Sequence, residues 1–188
     1  MKESSILYKI MKWFMNWFGD IKIFKSPMFI VFGNTSYKMK GPHERAVLNI
    51  IKKGDVLLRR YEKFISGRLI PGFYTHAAVY IGDDRVIHAI GKGVCNEDIL
   101  TFMHCDYVAV LRPPEGTDAD KTSKLALECV GLPYDWAFEF KNDHRYTCTE
   151  LVHHCLEDDL VFDEDIKKIL PDNFLRSNLQ VVLETKDI

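Results

Sequence analysis

The sequence predicts an α+β domain in which an antiparallel sheet, or a small barrel closed from one, packs on helices. Three observations predict it. Four short runs rich in branched and aromatic residues crowd between positions 54 and 113, each bounded by Gly, Asp or Pro. Two stretches of helical periodicity, 119–130 and 148–157, follow them. At 188 residues and 47% apolar content, the chain can bury one sizeable core without extra staples.

The elements read in order as follows. Residues 4–18 set Ile6, Ile10, Trp13, Phe14 and Trp17 at helical spacing, with Lys9, Lys12 and Asn16 between them: an amphipathic helix. Such a stripe more often packs on its own protein or a partner, but aromatic residues flanked by lysines also suit peripheral contact with a membrane surface. Lys9, Lys12, Asn16, Gly19 and Asp20 leave no run near the ~20 apolar residues a spanning helix needs, so neither a transmembrane segment nor a signal peptide is expected. Residues 25–46, with Pro27, Gly33, Gly41 and Pro42, read as a linker or wrapping arm. The division expected is therefore 1–45 for an N-terminal helix and arm and 46–188 for the domain proper.

From Gly54 onward the strands are GDVLLRR (54–60), THAAVYIG (75–82), RVIHAI (85–90) and YVAVLRP (107–113). The helix over 119–130 is stopped by Gly131 and Pro133. The net charge of −2, from 25 basic and 27 acidic residues, lacks the basic footprint of nucleic-acid binding. Five cysteines, an odd count without a CxxC pair, suggest neither a disulfide framework nor a zinc ribbon but reduced thiols in a cytosolic setting.

One cysteine stands apart. Thr147 to Glu150 reads T-C-T-E, a capping box in which the Thr hydroxyl caps the helix and Glu150 reaches back to the Thr147 amide. Cys148 then opens the helix, where unpaired amides and the positive end of the helix dipole favour a thiolate. Leu151, Val152 and Cys155, at i+3, i+4 and i+7, put Cys148 on the inward face. Cys95, Cys105, Cys129 and Cys155 read as small buried hydrophobes.

Strand periodicity sets His76, Ala78 and Tyr80 on one face. His88 joins that face only if the turn after Ile81 has odd length. A three-residue loop at 82–84 pairs Ile81 with Arg85 and His88 with Ala78; a two-residue loop at Asp83–Asp84 turns His88 away. The three-residue loop is predicted here. Cys148, His76 and His88 are all good zinc ligands, yet no short-spaced ligand pair supports a metal site. His153 and His154, followed by acidic residues, read as a solvated face.

In order, GDVLLRR, THAAVYIG, VIHAIGKGV, GLPYDWAFEF and YTCTELV resemble the circularly permuted branch of the NlpC-type papain-like superfamily, above all the YiiX/YaeF-like amidases and more distantly lecithin retinol acyltransferase-like enzymes. The likeness spans Ala46 to Ser177. It implies a permuted papain-like fold, with Cys148 as nucleophile, His76 as general base and His88 as the third polar residue. YiiX-like relatives often carry an acidic residue at the position of His88, and unpermuted members a histidine.

The expected chemistry is a Cys-His-His acyl-enzyme mechanism on a peptide or lipid acyl substrate, without a cofactor. The Cys148 amide would be one oxyanion donor, with Tyr146 and Tyr61 as candidates for the second. An amidase or peptidase is favoured. A lipid acyl hydrolase or acyltransferase with the same residues is the alternative, and a non-catalytic or metal-binding module the third reading.

Overall fold

A computed structural model describes residues 6, 9–10, 12–14, 22–23, 30–31, 37–62, 64, 69–137, 144–162 and 168–188. Two short strands, β1 (Lys22–Ile23) and β2 (Ile30–Val31), pair antiparallel. The main body then runs α1 (Gly41–Ile50), β3 (Val56–Arg60), β4 (His76–Gly82), β5 (Arg85–Ile90), β6 (Gly93–Asp98), α2 (Ile99–Phe102), β7 (Tyr107–Arg112), α3 (Ala119–Glu128), α4 (Cys148–Leu156) and β8 (Gln180–Glu184). The six strands β3 to β8 form one sheet in the order β6-β5-β4-β3-β7-β8, every pair antiparallel.

The four strands and two helices read from the sequence are present within a few residues of their expected ends. Helix α1 begins in the stretch expected to be a linker and runs on into the expected domain. Pro42 lies in its first turn, where a missing N–H costs nothing, so Gly41-Pro42 opens a helix here. Met39 and Val47 are buried in the core, so the packed body starts ahead of position 46, inside what was expected to be the arm.

In the N-terminal helix, Ile6, Ile10, Trp13 and Phe14 are helical and 41 to 76% exposed, so this apolar stripe does not pack into the core of the sheet domain. Trp17 lies outside the described residues. Among the described residues no helix is long and apolar enough to cross a membrane.

Strand alternation divides the sheet into two faces. On one, Val56, Leu58, Ala77, Val79, Ile87, Ala89, Ala109 and Leu111 pack with Ala126 of α3 and with Leu151, Val152, Cys155 and Leu156 of α4. On the other, Leu57, Ala78, Tyr80, Val86, Val108 and Val110 pack with Val47 of α1 and with Ile99 and Phe102 of α2. At one end of the sheet the buried Asp55 carboxylate holds Arg112 at 2.7 Å. The histidines sit toward the other end.

Candidate active site

The β4–β5 turn settles where His88 points. Asp83 and Asp84 have φ of 49° and 56°, the left-handed pair of a two-residue type I′ turn, and Gly82 pairs with Arg85. The expected three-residue loop is therefore not formed. A bulge at Ile81 nevertheless restores the same register, because Tyr80 pairs with Val86 and Val79 with Ile87. His88 shares the face of His76. The two rings meet with His76 Nε2 2.8 Å from His88 Nδ1.

Helix α4 begins at Cys148 and carries the expected cap. Thr147 Oγ1 accepts from the Glu150 amide at 3.2 Å, and Glu150 Oε2 accepts from the Thr147 amide at 2.7 Å. This leaves the first-turn amides of Cys148 and Thr149 to the thiol, which also meets the backbone amide of Ala77. β4 and β5 pair only from Val79 outward to the turn, so Ala77 is outside their ladder and its amide is open to the sulfur. Cys148 thus approaches from the α4 side of the sheet and reaches the backbone one residue beyond His76.

Electrostatics refine the expectation for the thiol. Burial pushes Cys148 up to about 11, against the opposing pull of the three amides and of the Arg59 charge. The helix start alone would favour a thiolate; here desolvation outweighs it. His76 is held well below the usual imidazole range, first by burial and then by Arg59 and His88. His88 falls to about 3 through burial and Arg59. The resting site therefore holds a neutral thiol and two neutral imidazoles.

Three neighbours were not assigned from sequence. Arg59 is paired with His76 across β3 and β4, is 8% exposed, and lays its guanidinium 4.3 Å from the centre of the Phe102 ring. Glu97 of β6 brings Oε2 within 3.3 Å of His88 Nε2 and 3.7 Å of Arg59 Nη1. Tyr134 is held well above the usual phenol range, first by burial and next by the Cys148 thiolate charge. Only Tyr134 carried a local signal, the GLPYDW run.

Of the two tyrosines named from sequence, Tyr146 turns into the core and Tyr61 stands beside Arg59. The Tyr146 hydroxyl bonds to the Cys129 thiol, and its ring lies 5.2 Å from His154, which directs it into the helical side of the core. Tyr61 stands over Arg59, with the guanidinium 5.1 Å from its ring centre, and burial drives its phenol up to about 12. His153 and His154 are half-buried, with His153 stacked on Phe162, so they do not form the solvated face expected of them. Among the described residues no cluster of three or more His, Cys, Asp or Glu is arranged to hold a metal ion.

Residues 50–185 match the family described as permuted papain-like amidase enzymes of the YaeF/YiiX type, C92 family. The chain belongs to that family. The fold also matches a solved structure described as the metalloprotein YiiX from Escherichia coli O157:H7, with a TM-score of 0.59 and 15% identity over 71% of this chain and 97% of that one. A comparison with curated proteins found no match. The six-stranded antiparallel sheet packed on helices is thus the permuted papain-like fold, with the cysteine helix following the histidine strands instead of preceding them.

Proposed function

We propose that this member of the permuted papain-like amidase family is a cysteine-dependent amide hydrolase, with Cys148 as nucleophile, His76 as general base and His88 as the group that orients His76. The observation that carries the reading is the junction at Ala77. A buried thiol at a capped helix start sits on the amide next to His76, and His76 is itself fixed by a 2.8 Å contact with His88.

The mechanism follows from the resting charges. His76 Nε2 is engaged with His88, which leaves Nδ1 to take the thiol proton as sulfur attacks the carbonyl. The Cys148 amide faces the developing oxyanion, and Tyr134, whose phenol feels the Cys148 charge, joins Tyr146 and Tyr61 as a candidate for the second donor. Collapse of the tetrahedral species expels the amine, which takes the proton from His76, and water then resolves the acyl-enzyme. Family membership supports an amide as the scissile bond.

The deciding experiment compares wild type with Cys148→Ala and His76→Ala on peptide amides, peptidoglycan fragments and phospholipids. Amide cleavage that falls by ~10³-fold or more in each variant is the expected result. Undiminished cleavage by Cys148→Ala sinks the reading, and turnover confined to phospholipids moves the substrate to lipid acyl esters.

A further inference from the structure

His76 can serve as base in only one of the two arrangements open to it. If His76 donates its Nε2–H to His88 Nδ1, its own Nδ1 carries a free lone pair and can accept the thiol proton. If His88 donates from Nδ1 instead, neutral His76 must hold its proton on Nδ1, and it presents the thiol with a donor. Both arrangements satisfy the 2.8 Å contact equally well. Something beyond the pair must choose.

The groups around His88 supply the choice. His88 is 1% exposed, and its Nε2 makes no aligned hydrogen bond although Glu97 Oε2 lies only 3.3 Å away. Register explains the approach: His88 pairs with Cys95, so Glu97 is its diagonal neighbour two residues along β6 on the same face. Arg59 Nη1 is 3.7 Å from the same carboxylate oxygen and is itself anchored by donating to the Phe102 carbonyl at 3.1 Å. Arg59, His76, His88 and Glu97 therefore form a row across four adjacent strands, β3 to β6.

We infer that Glu97 is a positioning residue that selects the productive tautomer of the His76–His88 pair, held in place by Arg59. A carboxylate at Nε2 favours a proton there and opposes a bare lone pair, so His88 keeps Nε2–H and offers Nδ1 as acceptor. His76 then donates from Nε2 and keeps Nδ1 free. Only one proton moves in the chemical step, from Cys148 sulfur to His76 Nδ1; the protons on His76 Nε2 and His88 Nε2 stay where they are. The inference rests on the cysteine-hydrolase reading above and adds to it a fourth residue.

The test is a double-mutant cycle read by iodoacetamide alkylation of Cys148, resolved from the other cysteines by peptide mass spectrometry, together with nitrogen NMR of the histidine side chains. Glu97→Gln is expected to slow alkylation about tenfold, the scale of losing a group that orients a functional histidine, and to convert the His88 signal from a pure Nε2–H form to a mixture. In a His88→Asn background an amide accepts from His76 without any tautomer to choose, so Glu97→Gln should then cost nothing further. Equal costs in both backgrounds, or an unchanged His88 signal, overturn the inference. If His76→Ala leaves alkylation unchanged, the hydrolase reading itself falls; if His76→Ala slows it and Glu97→Gln does not, only the role of Glu97 falls.

Discussion

The two faces of the sheet share strands and pleat but divide the work. Under α3 and α4 the centre of the face is aliphatic, with Val56, Leu58, Ala77, Val79, Ile87 and Ala89 all fully buried. The opposite face interleaves Leu57, Ala78, Tyr80 and Val86 with Arg59, His76, His88 and Glu97. Period-two alternation lets one strand serve both, so Ala77 stabilises the fold while its neighbour His76 faces the polar row. Burying histidines and an arginine is costly, and an aliphatic face on the reverse of the same strands offsets that cost.

The sharpest separation of the faces is a cavity on the aliphatic side. Leu151 is fully buried in α4 against that face. Leu151→Ala should lower unfolding free energy by about 2–5 kcal/mol in urea titration, with the His76–His88 nitrogen signals unchanged. A loss below ~1 kcal/mol, or shifted histidine signals, would show that the faces are not independent.

Acid should act on the other face. His88 titrates near 3 in the folded protein, and an unfolded histidine near 6.5. Between those values only the unfolded chain holds the proton, so stability falls as pH drops below about 6.5, by up to ~1.4 kcal/mol per pH unit for this residue. His76, lowered in the same direction, adds to the slope. Urea midpoints at pH 7 and 5.5 should therefore diverge less in His88→Gln than in wild type. An identical pH dependence in the two proteins would mean that His88 is not buried as a neutral group.

Legibility in the sequence followed the same divide. The apolar strands announced themselves through branched residues, and the capping box placed Cys148 from four letters. Strand β6 went unread because GVCNED is an edge strand whose second half is polar and largely unburied, so neither propensity nor alternation marks it. With β6 missing, Glu97 had no position relative to His88. Arg59 was read as part of a strand, but its place beside His76 depends on β3–β4 pairing, a contact between distant segments. The common face of the two histidines was anticipated by way of a longer turn; a tight turn and a bulge give the same result, since both shift the register by one residue.

The first turn of α4 meets the sheet at the Ala77 amide, and its own amides are shared out among different partners. Thr147 takes the Glu150 amide, while the Cys148 and Thr149 amides serve the thiol. Removing the cap with Thr147→Ala should cost ~1 kcal/mol of stability, the smallest of these effects. It should also slow Cys148 alkylation, because a frayed first turn no longer aims its amides at sulfur. Thr147→Ser keeps the hydroxyl and should retain both properties. If Thr147→Ala lowers stability but leaves alkylation at the wild-type rate, the cap supports the helix alone, and the thiol depends on the Ala77 amide from the sheet instead.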